Sequence, residues 1–126
     1  MNIQTVGERI RRAGETTGSY NSPESNLASS GIRAMLKKAF PDCALIFSKG
    51  HFYCSGFIEK RGKFVFFSFS DYRFFGDSAY VRTATGPRDF TGGPNISANS
   101  QNLVRVISET LTRSTTEALS ENGVTR

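Results

Sequence analysis

A chain of 126 residues with 37% hydrophobic residues and eleven phenylalanines can bury one core but not two sizeable ones, so residues 1–126 are expected to form a single domain. Sixteen Lys and Arg against eleven Asp and Glu leave a formal charge of +5, which favours anionic partners such as nucleotides, nucleic acid or acidic protein surfaces. No stretch approaches the roughly 20 apolar residues of a membrane span, and the charged N-terminus, with Glu8, Arg9, Arg11 and Arg12, lacks the apolar centre of a signal peptide. A soluble, cytoplasmic protein with no membrane partner is therefore expected.

Along the chain, Ile3, Val6, Ile10 and Ala13 recur at three and four, which predicts a short amphipathic helix over Asn2–Ala13 that Gly14 stops. Glu15 to Ser22 reads as a polar loop whose one large side chain is Tyr20, placed either as a lid over a ligand or tucked against the core edge. Ser22-Pro23 then reads as an N-cap with proline in the first turn, and Glu24 suits the positive end of the helix dipole. That helix is predicted to run to about Phe40, ahead of Pro41, with an apolar stripe of Leu27, Ile32, Met35, Leu36 and Ala39.

Four strands are predicted next: Ala44–Ser48, His51–Glu59 after a Lys49-Gly50 turn, Phe64–Phe69 after Lys60 to Lys63, and Ser78–Ala84 after a loop from Asp71 to Asp77. Connections this short imply an antiparallel meander. Phe64–Phe69 is apolar on both alternating faces, so it should be covered on both sides, by helices on one and by helices or a second copy of the chain on the other. Asn99–Glu121 is predicted to be a helix capped by Ser97 or Asn99, with a frayed tail after Asn122. The fold class is α+β: an antiparallel meander of about four strands packed with two N-terminal helices and one long C-terminal helix.

The densest polar constellation is Arg82 to Asn95. Tyr80, Arg82 and Ala84 should share one side of a strand, so Arg82 would project beside an aromatic ring. Gly86-Pro87 turns the chain and presents Arg88 and Asp89, while Gly92 and Gly93 let backbone amides approach a ligand. Paired arginines grip phosphate through bidentate bonds, and Asn95 offers donors and an acceptor to a base or ribose. Against this stands a plain alternative, in which Arg88 and Asp89 form a local salt bridge and the glycines only make a turn. The loop matches neither GxxxxGK[ST] nor GxGxxG.

Other chemistry finds less support. Arg61-Gly62-Lys63-Phe64-Val65-Phe66-Phe67 faintly resembles the first ribonucleoprotein motif of RNA-recognition domains, but it departs at the Gly/Ala step and the element order is not βαββαβ, so nucleic acid is not the expected partner. His51 is the single histidine, and Cys43, His51 and Cys54 lack zinc-finger spacing. Residues three apart in a strand point to opposite faces, which disfavours a Cys54–His51 dyad. Asp71 and Asp77 could be paired carboxylates or plain surface acids. Cys43 and Cys54 flank the predicted hairpin, so a bridge is geometrically possible, although reduced thiols are expected without a secretion signal.

Val81-Arg82-Thr83-Ala84 followed by Arg88-Asp89-Phe90-Thr91-Gly92-Gly93-Pro94-Asn95 resembles a pattern of small phage-encoded proteins, the first anti-Thoeris family. These are sponges that sequester cyclic ADP-ribose isomers made by bacterial defence TIR enzymes. The resemblance covers about fifteen residues. It implies a noncatalytic binder without a cofactor, with Arg82 and Arg88 as ligand-gripping arginines and Asp89, Thr91, Gly92, Gly93 and Asn95 around the ligand. It also implies an aromatic on the adenine, for which Phe57 and Tyr20 are the candidates. Homodimers or higher assemblies, a bacterial host cytoplasm and, in some members, binding of cyclic oligonucleotides follow from the same likeness. The alternative function is a small basic inhibitor of a host defence protein or nucleoprotein complex.

Overall fold

The computed structural model describes residues 3–16, 22–88 and 93–121. It is α+β, with a five-stranded antiparallel sheet and four helices. In order these are α1 (Ile3–Gly14), α2 (Pro23–Ala39), β1 (Ala44–Lys49), β2 (Cys54–Lys60), β3 (Lys63–Phe69), α3 (Tyr72–Phe75), β4 (Ala79–Ala84), β5 (Ile96–Ala98) and α4 (Leu103–Glu121). The strands lie in sequence order, β1-β2-β3-β4-β5, as a meander. Tyr20 and the tail after Asn122 fall outside the described residues.

Two elements correct the four-strand expectation. β5 is only three residues long and pairs with β4 through Ala79–Ala98, Tyr80–Ser97 and Val81–Ile96. A strand that short leaves almost no alternation to detect. The second is α3, a single turn inside the expected Asp71–Asp77 loop. Asp71 caps it by accepting from the Arg73 amide at 2.9 Å, and Gly76 closes it at φ 58°.

The turn between β1 and β2 is also longer than the expected Lys49-Gly50 pair. Lys49 pairs with Cys54, so Gly50 to Tyr53 connect the strands and the Gly50 amide donates to the Tyr53 carbonyl at 2.9 Å. Cys43 consequently lies six residues along the hairpin from the level of Cys54, roughly 20 Å at strand rise. A disulfide spans at most about 7 Å between Cα atoms, so no bridge forms and both thiols are free.

The helices cover one face of the sheet. Val65, Phe67 and Phe69 of β3, Cys54 and Ile58 of β2 and Val81 of β4 form one core with Val6, Ile10, Ile32, Leu36, Leu103 and Ile107. On α2 the buried side is shifted from the expected stripe: Leu27 is half exposed and Ala39 is exposed, while Ala28, Ser29 and Gly31 are buried.

Within this core, the hydroxyls of Ser29 and Tyr72 share a hydrogen bond at 2.8 Å, beside the Cys54 thiol. Burial pushes Cys54 from its ordinary 9.0 up to about 12 and pushes Tyr72 upward as well. A raised folded-state pKa leaves stability intact below the unfolded value and removes it as pH climbs toward the folded one. The urea midpoint should therefore fall from pH 9 upward, by roughly 1 kcal/mol of stability per pH unit from Cys54, and more steeply above pH 10 as Tyr72 joins. Cys54→Ala should remove the first part of that slope; an unchanged profile in that variant would show that the thiol is not the group responsible.

α4 starts at Leu103, later than the expected Asn99, and a closed turn precedes it. Asn99 Oδ1 accepts from the Asn102 amide at 3.1 Å and Asn102 Oδ1 accepts from the Asn99 amide at 2.8 Å, so Asn99 caps this turn while Ser97 belongs to β5. Asp77 fixes this corner, taking the Ser100 amide at 2.7 Å and hydroxyl at 2.6 Å. Asp71 and Asp77 thus have separate structural partners and are not a carboxylate pair. Among the described residues no helix is long and apolar enough to cross a membrane.

Candidate functional site

The sheet face opposite the helices carries the sequence-predicted residues that the structure brings together. β-register sets Phe57 against Phe66, and Phe66 against Arg82, so the three form one row across β2, β3 and β4. The Phe57 and Phe66 ring centroids are 4.9 Å apart, and the Arg82 guanidinium carbon lies 4.5 Å from the Phe66 centroid. Tyr80, on the same side of β4, stands 5.9 Å from Phe66. Phe57, Phe66 and Arg82 are each about 95% buried or more, yet Phe57 and Phe66 lie outside the helix-covered core. On its second face β3 is thus buried at Phe66, while Phe64 and Ser68 beside it are partly exposed.

Tyr80 and Arg82 share one side of β4 as expected, and the ring that Arg82 lies over is Phe66. A guanidinium held flat on an aromatic face gains cation–π attraction, worth more where water is excluded. One of its N–H groups donates to the Thr83 carbonyl at 3.3 Å. Alongside runs a polar row, where Ser55 pairs with Ser68, Ser68 with Tyr80 and Tyr80 with Ser97. All four are at least partly exposed, and hydroxyls of this kind both donate and accept. The platform is therefore aromatic, cationic and hydroxyl-rich on one surface.

Of the segment between β4 and β5, residues 85–88 and 93–95 are described, and they adjoin the ends of the two strands. Arg88 and Asn95 are exposed and Gly93 is half-buried. Because Val81 pairs with Ile96, the chain at Asn95 arrives level with Arg82. Gly93 has a steric reason to be glycine, since a Cβ there would lie 2.7 Å from Thr83 Oγ1. Asp89, Thr91 and Gly92, like Tyr20, lie outside the described residues. Sequence reasoning missed Phe66 and the serine row; both depend on strand register, which residue types alone do not reveal.

Cys54 is buried and its raised pKa keeps it a thiol at neutral pH, the opposite of an activated nucleophile. Among the described residues no group of three His, Cys, Asp or Glu side chains is placed to hold a metal ion. Compared with protein-family models, curated proteins and solved structures, the chain matches none.

Proposed function

We propose that the chain is a noncatalytic binder of a cyclic nucleotide signal, of the cyclic ADP-ribose isomer class, which it sequesters without cleaving. The observation that carries this reading is the buried Arg82 guanidinium stacked on Phe66 in a row with Phe57, next to the segment that bears Arg88 and Asn95. Arg82 and Arg88 grip phosphate, an aromatic of the platform takes the base, and Asn95 with the serine row serves ribose hydroxyls. Asp89, Thr91, Gly92 and an aromatic lid at Tyr20 complete the site in the same reading. In the same reading a second copy of the chain closes over the exposed serine row of this face, and the protein acts in the cytoplasm of a bacterial host cell, against its defence.

Calorimetric titration with cyclic ADP-ribose isomers tests the proposal, followed by heating the complex and weighing the released compound. Tight binding with the ligand recovered intact is the expected result. Recovery of a compound of altered mass would make the protein an enzyme, and absence of heat with every isomer would reject this ligand class.

A further inference from the structure

A second cleft lies at the opposite face, between the end of α2, the β2–β3 turn and α4. It encloses about 420 Å³, within the size range of small-molecule sites. Its walls are the Phe40 ring, the Cys43 thiol and Leu111, with the Ser108 hydroxyl on α4. Its rim is Lys60, Arg61 and Lys63. A shallower cleft of about 150 Å³ shares Phe40 and Cys43 and adds Arg33 and Lys37. Among the described residues that line the two clefts there is no carboxylate, although the carboxylates of Asp42 and Glu59 are close enough to act on the Cys43 thiol.

Four cations elsewhere on the chain have carboxylate partners, which these five lack among the described residues. On α1, Arg11 and Arg12 pair with Glu8; Arg73 pairs with Asp71 and Arg105 with Glu109. Among the described residues Arg33, Lys37, Lys60, Arg61 and Lys63 are in no ion pair. The one acid on the turn, Glu59, is occupied by the Gly62 amide at 2.7 Å and alternates to the other face of β2. The carbonyl end of the α2 dipole opposes an anion here, but it amounts to about half a charge against three to five.

The turn itself breaks two local rules at once. Lys60 and Lys63 are direct cross-strand partners, and like charges so placed repel. Arg61 sits at φ 54°, the one non-glycine residue at positive φ among those described, in a two-residue hairpin turn where Asn or Gly is favoured. The Glu59 carboxylate ties the turn together through the Gly62 amide, but among the described residues no carboxylate pairs with either lysine. Local rules broken without compensation are where functional demands are to be sought.

We propose that this cleft is a separate ligand site for a nucleoside diphosphate or a compound of that chemical class, a polyanionic phosphate joined to a flat ring. Lys60, Arg61 and Lys63 hold the phosphates, the Phe40 ring takes the base and the Ser108 hydroxyl bonds the sugar or phosphate. The site uses none of the residues of the Arg82 platform, so the two stand or fall independently.

The test is titration of ADP into the full chain, with pyrophosphate as the comparison. ADP should bind at least tenfold more tightly than pyrophosphate, and increasing salt should weaken it. Lys60→Ala with Lys63→Ala should lower ADP affinity at least tenfold without lowering Tm. Arg61→Asn should weaken ADP binding while raising Tm, because it relieves the positive φ; a merely structural turn would show no loss of binding. No ADP binding at millimolar concentration, equal affinity for pyrophosphate, or full affinity in the double variant would each overturn the proposal.

Discussion

Arg82→Ala is expected to weaken binding of the cyclic ADP-ribose isomer by one to two orders of magnitude or more. The side chain is 3% exposed, and a charge-assisted hydrogen bond made there is worth about 1.5–3 kcal/mol. Truncation also removes the surface that packs on Phe66 at 4.5 Å, so part of the loss would reflect a loosened platform. Arg82→Lys separates these effects. It keeps the charge but loses the planar fork and the flat stack, so it should fold and still bind at least tenfold more weakly. Wild-type affinity in Arg82→Lys would show that the guanidinium does not touch the ligand. Arg88 is exposed, so Arg88→Ala should leave Tm unchanged while weakening binding about tenfold; unaltered affinity there would take the β4–β5 segment out of the site.

The largest effect on stability is expected from Gly56→Ala. Gly56 lies in the middle of β2, between Phe47 of β1 and Phe67 of β3. A Cβ there would meet the Ile46 carbonyl oxygen at 2.3 Å and the Phe67 ring at 3.0 and 3.1 Å. The ring cannot swing aside, because Phe67 is fully buried and Phe47 stands 6.2 Å away. The carbonyl belongs to a paired strand, so relief would require opening the β1–β2 ladder. Overpacking in such a core costs about 1–3 kcal/mol, and a clash with backbone belongs at the top of that range. A urea titration should show the loss as a lower midpoint. Gly62→Ala provides the contrast: at φ 81° with nothing within 4 Å, it should cost about 1 kcal/mol, from the backbone alone. A Gly56→Ala midpoint no lower than that of Gly62→Ala would mean that β1 and β2 do not pack as described.

The two proposed ligand sites make different demands on the fold. The Arg82 platform places its cation on an aromatic floor, where few polar groups must be desolvated anew when a nucleotide arrives. The cleft at Lys60 to Lys63 keeps its cations hydrated at a rim and attracts its ligand through field as much as contact. Salt should therefore weaken the second site more than the first.

Several features were determined by the sequence alone. The Ser22-Pro23 start of α2, the apolar spacing of α1 and the doubly apolar run of β3 each reside in a few consecutive residues, and local backbone sterics and periodicity express them directly. The short loops between Ala44 and Phe69 left antiparallel pairing as the available topology, because parallel strands need a longer crossover. What only the tertiary structure decided are relations between distant residues. That Arg82 lies on Phe66 follows from the β3–β4 register, which a one-residue slip would turn to the other face. That Cys43 is remote from Cys54 follows from a turn two residues longer than its Lys49-Gly50 start suggests. β5 pairs along the edge that β4 offers, and Tyr72 of α3 reaches Ser29 in the core. In each case the contact energy arises only once the helices have packed and the strands have aligned, and no stretch of the chain carries it by itself.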